Sequence, residues 1–460
     1  MNIPIIIPPS PYLTNPKALM PLGVLYVAGY VEKMGDIPIL IDLSGIDDYV
    51  TYTINQLSLI QCSCVGITAT SGQIYYVLNI VKEIKKQFPH LKIIGGGPHF
   101  THTCIAHKRI PERTQKFIND FNKYFDVYIL GDGEKGFYEA LNLDDNNKMI
   151  NCTIPSSISY MTSQDLNDLP FPARHLLDVS SYQHNFGCRT INDSNTISLM
   201  AQRGCPYSCR FCSSRTEKFG RTIRTHSIEK TISEVEYLYK TYKYTDFIFY
   251  DDELNVLPEL NTFLNKFKDL QFRLGVEFRF RAWLKSNLIS LEQMKSLKDA
   301  GMISAVIGAE SGSERILKNI NKKSTIDQNT KFVEYAHQCG VHAKCIISIG
   351  HPGESDETLM KTAEWLKKVN LEDVNFTIIS CLPSSFYYDY AIKQKDGIWV
   401  YTVPETNDKL YSYNVDFHSK PNILNGNLDY GYESTVFTDY LSADEIVKWH
   451  KYLELTHKRK

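Results

Sequence analysis

Short apolar runs alternate with amphipathic stretches through the first 143 residues: IPIII, LGVLYVAGYVEKMG, IPILIDL, CSCVGITAT, GQIYYVLNIVKEIKKQF, KIIGGG and VYILGDGE. The β-branched runs have no polar interruption, as strands covered on both faces require, and Ile74, Val77, Leu78, Val81 and Ile84 recur at helical spacing. This rhythm predicts an α/β domain over 1–143, a doubly wound, Rossmann-like parallel sheet. Residues 144–194 turn polar and then carry the proline-bracketed LPFPARHLL, the pattern of a linker with one docked segment. Alternation resumes over 195–394, with helices expected at 228–242 and near 258–270, 290–300, 325–338 and 356–368. Six strand–helix units predict a partial (βα)6 barrel of the TIM type, and Ile228, Ile232, Val235, Leu238 and Tyr242 give its first helix an apolar stripe. Residues 395–460 form a short C-terminal extension of weak periodicity, a candidate substrate-side element. A helix near 442–456 is expected there, N-capped by Ser442. Tyr387, Tyr388, Tyr411 and Tyr413 read as surface packing, with lining of a substrate site as the alternative.

A chain of 460 residues is long enough for more than one core, and 43% hydrophobic with 22% charged residues is a globular composition. Lys+Arg at 50 against Asp+Glu at 52 gives a net charge of −2. That balance lacks the basic footprint of a nucleic-acid or anionic-membrane binder, so a small molecule or peptide is the expected substrate. The opening MNIPIIIPPSPYLT has no basic n-region, and a cytoplasmic location is expected. The uncharged stretch Tyr49 to Val81 is interrupted by Asn55, Gln56, Ser58, Gln61, Thr68, Thr70, Ser71 and Gln73, so a buried strand followed by a helix is expected there in place of a membrane span. Eleven cysteines, an odd number, argue for burial or metal binding over a disulfide framework.

Three of those cysteines carry the chemistry. GCPYSCRFCSS sets Cys205, Cys209 and Cys212 in a CxxxCxxC arrangement directly after the first barrel strand. Thiolates favour soft metal centres, and three on one loop leave one iron of a cubane open to an exogenous ligand. A structural zinc would want a fourth Cys or His close by, and none occurs up to His226. With Phe211 as its apolar residue, the motif resembles the signature of the radical S-adenosylmethionine superfamily. The resemblance implies a 4Fe-4S cluster on the three cysteines and S-adenosylmethionine bound at the fourth iron. It also implies a 5′-deoxyadenosyl radical that abstracts hydrogen from substrate, and an external electron donor such as flavodoxin or ferredoxin. Other segments match the superfamily in order. FIFYDDE offers Asp251, Asp252 and Glu253 to the ligand's ammonium. Arg281 in FRFRAW is a candidate for its carboxylate, with a surface salt bridge as the plain alternative. IGAESGS offers Glu310 and Ser311 to the ribose, and SIGHPGES offers Ile349 and Gly350 to the adenine. No catalytic side chain is assigned.

The first domain resembles the cobalamin-binding module of one large branch of that superfamily, through MPLGVLYVAGYVEKMG, VGITATSG, KIIGGGPHFT, VYILGDGEKGFYEAL and the LPFPARHLLD connector. The resemblance implies cobalamin contacts at Ser71, Gly96, Gly97, His99, Gly131, Gly133 and Glu134. Where mutase-type domains carry DxHxxG this chain reads Asp42-Leu43-Ser44-Gly45, without the histidine. If the corrin binds, C-methylation at an unactivated carbon is the leading expectation. With an idle or absent corrin the same radical would drive dehydration, epimerisation, cyclisation or rearrangement. A non-enzymatic iron-sulfur or corrinoid carrier has no need of the ligand-binding segments. NAD binding lacks its GxGxxG after the first strand, the P-loop, HExxH and GxSxG motifs are missing, and a tRNA methylthiotransferase would add a three-cysteine N-terminal domain and a basic tail.

Overall fold

The structure, a computed structural model, describes residues 1–11, 13–143, 148–182, 196–215, 217–371, 373–419 and 433–457. The chain divides into two compact units, Met1–Gln183 with Val415–Tyr432, and His184–Asn414 with Glu433–Lys460.

In the first unit, unbroken apolar runs become the parallel strands β1 (Asn2–Ile7), β2 (Ile37–Asp42), β3 (Cys64–Thr68), β4 (Lys92–Gly96) and β5 (Val127–Leu130). A sixth, β6 (Met149–Asn151), lies within the stretch expected as linker. The order β2-β1-β3-β4-β5-β6 reverses direction between β1 and β3, where a doubly wound sheet opens its ligand crevice. All five periodic positions of helix Ile74–Gln87 are buried. The LPFPARHLL segment docks as expected, with the Ala173 N–H donating to Leu25 O at 3.0 Å. Tyr49 to Val81 contains the expected buried strand, β3, followed by helix Ile74–Gln87, and an additional helix, Tyr49–Ser58, precedes the strand. Asp48 caps that additional helix, accepting from the Thr51 N–H at 3.2 Å. Helices Pro98–His107 and Pro111–Tyr124 fill the stretch between β4 and β5, for which no element was read, and proline at a first helical turn sacrifices no hydrogen bond.

The second unit carries β7 (Thr196–Leu199), the short pair β8 (Gln202–Arg203) and β9 (Arg224–Thr225), then β10 (Asp246–Phe249), β11 (Arg279–Trp283), β12 (Met302–Glu310), β13 (His342–Ile349) and β14 (Asp373–Ile378). Apart from β8 and β9, these strands form one parallel sheet in the order β14-β13-β12-β11-β10-β7, the expected six-stranded partial barrel. Helices Ile228–Tyr242, Leu260–Leu274, Leu291–Asp299, Ile326–Gln338 and Asp356–Val369 return the chain between strands. Ser227, Ser290, Thr325 and Ser355 cap four of them through side-chain oxygens. In the first of these helices Ile228, Val235 and Leu238 are buried, while Ile232 and Tyr242 are half-buried at the margin of the stripe. All strand C-termini therefore meet one edge, where barrel chemistry lies.

The extension holds an antiparallel sheet, β15 (Ile392–Lys393), β16 (Trp399–Thr402), β17 (Lys409–Ser412) and β18 (Val436–Thr438), and helix Ala443–His457 capped by Ser442. Strands of two to four residues are too short to show a period. Tyr387 and Tyr388 are fully buried, against the surface packing expected of them, because helix Phe386–Asp389 turns both inward. Among the described residues no helix is long and apolar enough to cross a membrane.

Gly66 on β3 fixes how closely helix Gly133–Leu141 meets the first sheet, because a Cβ there would stand 2.5 Å from Phe137 Cε2. Gly66→Ala is expected to cost about 1–3 kcal/mol of unfolding free energy by overpacking. Urea titration checks this, and an unchanged midpoint would contradict the packing.

Candidate active site at the cysteine loop

β8 and β9 pair antiparallel, Gln202 with Thr225 and Arg203 with Arg224, so the loop between them leaves the barrel edge through a narrow neck. Gly204, at φ +95°, passes so near Thr222 O that a side chain there would collide with it. The Cys205 N–H donates to Gly220 O at 3.1 Å, and the Cys212 N–H to Cys209 O at 3.1 Å. Cys205 and Cys209 are buried and Cys212 is half-buried. The far side of the loop rests on the segment after helix Glu314–Asn319. The Arg210 N–H donates to Ile320 O at 2.9 Å, Arg210 Nη1 to Asn319 O at 2.9 Å, and Asn321 Nδ2 to Ser208 O at 3.0 Å. Asn321 and Lys323 adopt φ of +55° and +58°, a kinked saddle under the cysteines. Phe211 packs on Ile316, Leu317 and Ile320 of the same support.

That saddle also delivers Lys322. Its Nζ donates to Glu310 Oε1 at 2.9 Å, and both side chains are buried. Burial opposes both charges, yet each holds the other ionised, with Glu310 below and Lys322 above its ordinary range. Glu310 ends β12 at φ +64° beside a register shift, and Gly308 leaves room for the pair, since a Cβ there would stand 2.7 Å from Lys322 Nζ. Ser348 Oγ donates to Glu310 Oε2 at 2.7 Å, and His351 Nε2 lies 2.7 Å from the same hydroxyl. His351 Nδ1 is 3.1 Å from Tyr387 OH. One proton arrangement satisfies the row: Tyr387 donates to Nδ1, Nε2–H donates to Ser348, and Ser348 donates to the carboxylate. Burial presses His351 down to about 4, in keeping with its neutral state.

The other acidic candidates divide. Asp251 is buried and accepts from the N–H groups of Ala201 at 3.1 Å and Gln202 at 2.6 Å, bracing the neck. Burial pushes its carboxyl up to about 7. Asp252 is exposed. Glu253 shares its surroundings with Lys285, Lys322 and Glu310, and burial raises its carboxyl. Arg281 has its guanidinium 5.8 Å from the Trp283 ring. Ser311 turns inward, 3.2 Å from Thr362 Oγ1. Ile349 is buried, and Gly350, at φ +92°, lies against Val436. Sequence reasoning missed Lys285, Lys322, His351 and the saddle; only the Asn-Lys-Lys run beyond a short helix hinted at them.

In the first unit His99 is buried, with Nδ1 3.0 Å from Ser71 Oγ and Nε2 3.1 Å from His418 Nε2. His418, at 2.7 Å from Asp120, belongs to a return segment that carried no signal in the sequence. Both nitrogens of His99 are thus engaged within the unit. A Cβ on Gly97 would meet Ala69 O at 2.9 Å, on Gly131 the Cys152 backbone at 3.1 Å, and on Gly133 the Val27 side chain at 3.0 Å, whereas on Gly96 it would meet only Ile129 at 4.0 Å. Glu134 is buried in the first turn of its helix. Gly96 and half-buried Ser71 suit a flat ligand at the crevice, while the other glycines serve the unit's own packing.

Residues 199–366 match the model of the Radical SAM superfamily. The chain is 28% identical over 394 residues to an uncharacterized methyltransferase of Pyrococcus horikoshii, covering 81% of this chain and 78% of that protein. It is 24% identical over 379 residues to the anaerobic magnesium-protoporphyrin IX monomethyl ester cyclase of Rubrivivax gelatinosus, covering 79% of this chain and 65% of the cyclase. The radical S-adenosylmethionine methyltransferase TsrM of Kitasatospora setae, solved with cobalamin and a [4Fe-4S] cluster bound, superposes with a TM-score of 0.62 at 16% identity, over 84% of this chain and 73% of that one. Within the second unit, residues 199–366 therefore carry the sequence pattern of a radical S-adenosylmethionine domain. The chain as a whole shares the fold of cobalamin-bound radical S-adenosylmethionine proteins.

The donor set fits a 4Fe-4S cluster: three thiols on one loop, pinned from both sides, with the cationic Lys285 and Lys322 felt at Cys209. Among the described residues no group of three or more His, Cys, Asp or Glu is gathered as around a single metal ion.

With His351 depressed to about 4 against about 6.5 when unfolded, the unfolded chain takes up a proton first as pH falls. His351's share of stability is present above about pH 6.5 and is lost on the way down to about 4. Unfolding free energies of His351→Gln are expected to fall less steeply across that window than those of the parent. Parallel slopes would contradict a buried neutral imidazole.

Proposed function

We propose that this enzyme cleaves S-adenosylmethionine reductively at the Cys205–Cys209–Cys212 loop and uses the resulting radical to abstract hydrogen from a small molecule or peptide. The observation that carries the reading is the loop itself, three cysteines fixed by Gly220, Ile320 and Asn319 at the C-terminal edge of a partial barrel. A cluster held there supplies one electron to the sulfonium of S-adenosylmethionine, and its scission gives the 5′-deoxyadenosyl radical. The chain's own share is positional. Cys205, Cys209 and Cys212 hold the cluster, Glu253 takes the ligand's ammonium, and the row from Lys322 to Tyr387 keeps the floor of the site polar, ordered and closed to water.

Two fates of the substrate radical are supported by different observations. Internal dehydration, epimerisation, cyclisation or rearrangement is supported by the first unit, where His99 and three of the four candidate glycines serve internal packing, and by likeness to a cyclase. C-methylation of an unactivated carbon is supported by likeness to methyltransferases and to a cobalamin-bound fold. A corrin in that crevice supplies the methyl group.

Anaerobic incubation of reconstituted enzyme with S-adenosylmethionine and a reductant is expected to release 5′-deoxyadenosine. Serine at any of the three cysteines is expected to reduce it to background, and undiminished release from all three variants would contradict the assignment. Once substrate is found, S-adenosylhomocysteine formed in step with 5′-deoxyadenosine marks methylation, and 5′-deoxyadenosine alone marks internal conversion.

A further inference from the structure

Charge is spread unevenly along this chain. Residues 203–224, which carry the cysteine loop, hold six Lys+Arg against one Asp+Glu, and residues 314–323, which carry the saddle, hold four against one. The two segments therefore hold a net +8 in a chain whose total is −2, which leaves −10 on the rest. Part of the excess serves the fold. Lys322 is paired with Glu310, Arg210 with Glu405 and Arg315 with Asp408, and buried Arg224 stands 4.5 Å from the centre of the Phe219 ring. Lys218, Arg221, Lys318 and Lys323 differ: all four are exposed, and among the described residues none of them forms an ion pair.

These four cations flank one loop. Lys218 and Arg221 bound the short helix that follows the cysteines, where Gly220 O accepts from the Cys205 N–H at 3.1 Å. Lys318 and Lys323 bracket the turn on the other flank, where Ile320 O accepts from the Arg210 N–H at 2.9 Å and Asn321 Nδ2 donates to Ser208 O at 3.0 Å. Between the flanks Pro206 is exposed and Cys212 half-buried, so the loop meets water there. Lys318 lies within the field of Glu405, which Arg210 already holds. Glu217 and Glu314 are the acids of the two segments, and against four exposed cations they leave an excess of positive charge. Like charges gathered at a surface repel one another, and an anionic partner relieves them.

The chemistry of the loop says which anion fits. Reductive scission consumes one electron, which a donor outside the chain must deliver close to the cysteines. A donor that comes and goes with every turnover needs a small, weak interface steered by charge, and exposed cations around the loop supply one. A nucleic acid fits less well, since a polyanion long enough to pass beyond the two segments meets a remainder of net −10. We propose that the cationic face formed by Lys218, Arg221, Lys318 and Lys323 docks an acidic one-electron carrier protein, which reduces the cluster held by the loop. The inference rests on the function proposed above. One electron leaves the carrier and enters the cluster, so the carrier is oxidised and the cluster reduced, and no bond forms or breaks in the step.

The test uses the cluster-loaded enzyme and, as probe, a flavodoxin of strongly negative net charge. Calorimetric titration with oxidised flavodoxin reads docking without electron transfer, and the affinity is expected to fall roughly 10-fold or more between about 0.05 and 0.5 M NaCl. The triple variant Lys218→Glu, Arg221→Glu, Lys318→Glu is expected to lose that binding. In stopped flow, flavodoxin hydroquinone is expected to reduce the triple variant's cluster at least about 10-fold more slowly than the parent's. The reduced methyl viologen cation, which gains nothing from a positive face, is expected to reduce the variant at least as fast as the parent. Flavodoxin binding that is indifferent to salt, or binding and reduction retained by the triple variant, overturns the docking face. Equal slowing with both reductants overturns it as well, as does binding of total tRNA that the triple variant loses while it keeps flavodoxin. If the triple variant does not fold, Arg221→Gln and Lys318→Gln replace it singly, each with an expected several-fold loss under the same criteria. A cluster that both reductants reduce, but that then releases no 5′-deoxyadenosine from S-adenosylmethionine, overturns the proposed function and leaves the docking face standing.

Discussion

The buried ion pair between Lys322 and Glu310 is the interaction on which the arrangement of the second unit's site depends. Glu310 belongs to the sheet and Lys322 to the saddle under the cysteine loop, so their bond couples the rigid barrel to a loop with little regular structure of its own. Breaking such a pair leaves an uncompensated buried charge, which costs far more than a surface contact. The chain accepts local strain to keep it: a left-handed Glu310, a register shift in β12 and a glycine at 308 with no room for a side chain. From Glu310 the hydrogen bonds continue through Ser348 and His351 to Tyr387, in the short helix Phe386–Asp389 that precedes the extension. The same helix donates its Phe386 N–H to Arg210 O at 3.0 Å, and the extension itself grips the loop through Glu405, which accepts from Arg210 at 2.5 Å. A segment of weak periodicity therefore belongs to the support of the site.

The first unit applies the same economy differently. Its sheet has the switch point that opens a ligand crevice, and Gln73 spans it by donating to Ser10 Oγ at 2.8 Å. His99, Ser71 and His418 form a buried row ending on Asp120, with aromatic contacts from Phe117, Phe121 and Phe417. A histidine of this kind is a packing and positioning residue, and the glycines beside it permit close approach of the chain to itself. The fold of a corrin module and the local use of its residues are separate facts.

Much of the fold was legible because its signals are one-dimensional. Unbroken Ile and Val runs mark parallel strands, and an apolar stripe at helical spacing marks helix Ile228–Tyr242. Pro98 and Pro111 open two helices that were not read. The three cysteines were legible because their spacing alone limits the chemistry. Lys285, Lys322 and His351 were not, because a buried lysine and a surface lysine look alike in sequence, and only the fold lets the Asn255 amide after β10 grip the main-chain N–H and O of Lys285 after β11.

The central claim is that three cysteines hold a cluster whose remaining iron is open to S-adenosylmethionine. The most direct measurement is the electron paramagnetic resonance spectrum of the reconstituted, reduced enzyme before and after S-adenosylmethionine is added. The account predicts one reduced 4Fe-4S signal per chain whose g-values shift on addition, as an open iron taking a ligand requires. A cluster signal that S-adenosylmethionine leaves unmoved, or no cluster at all in a folded chain, would contradict it.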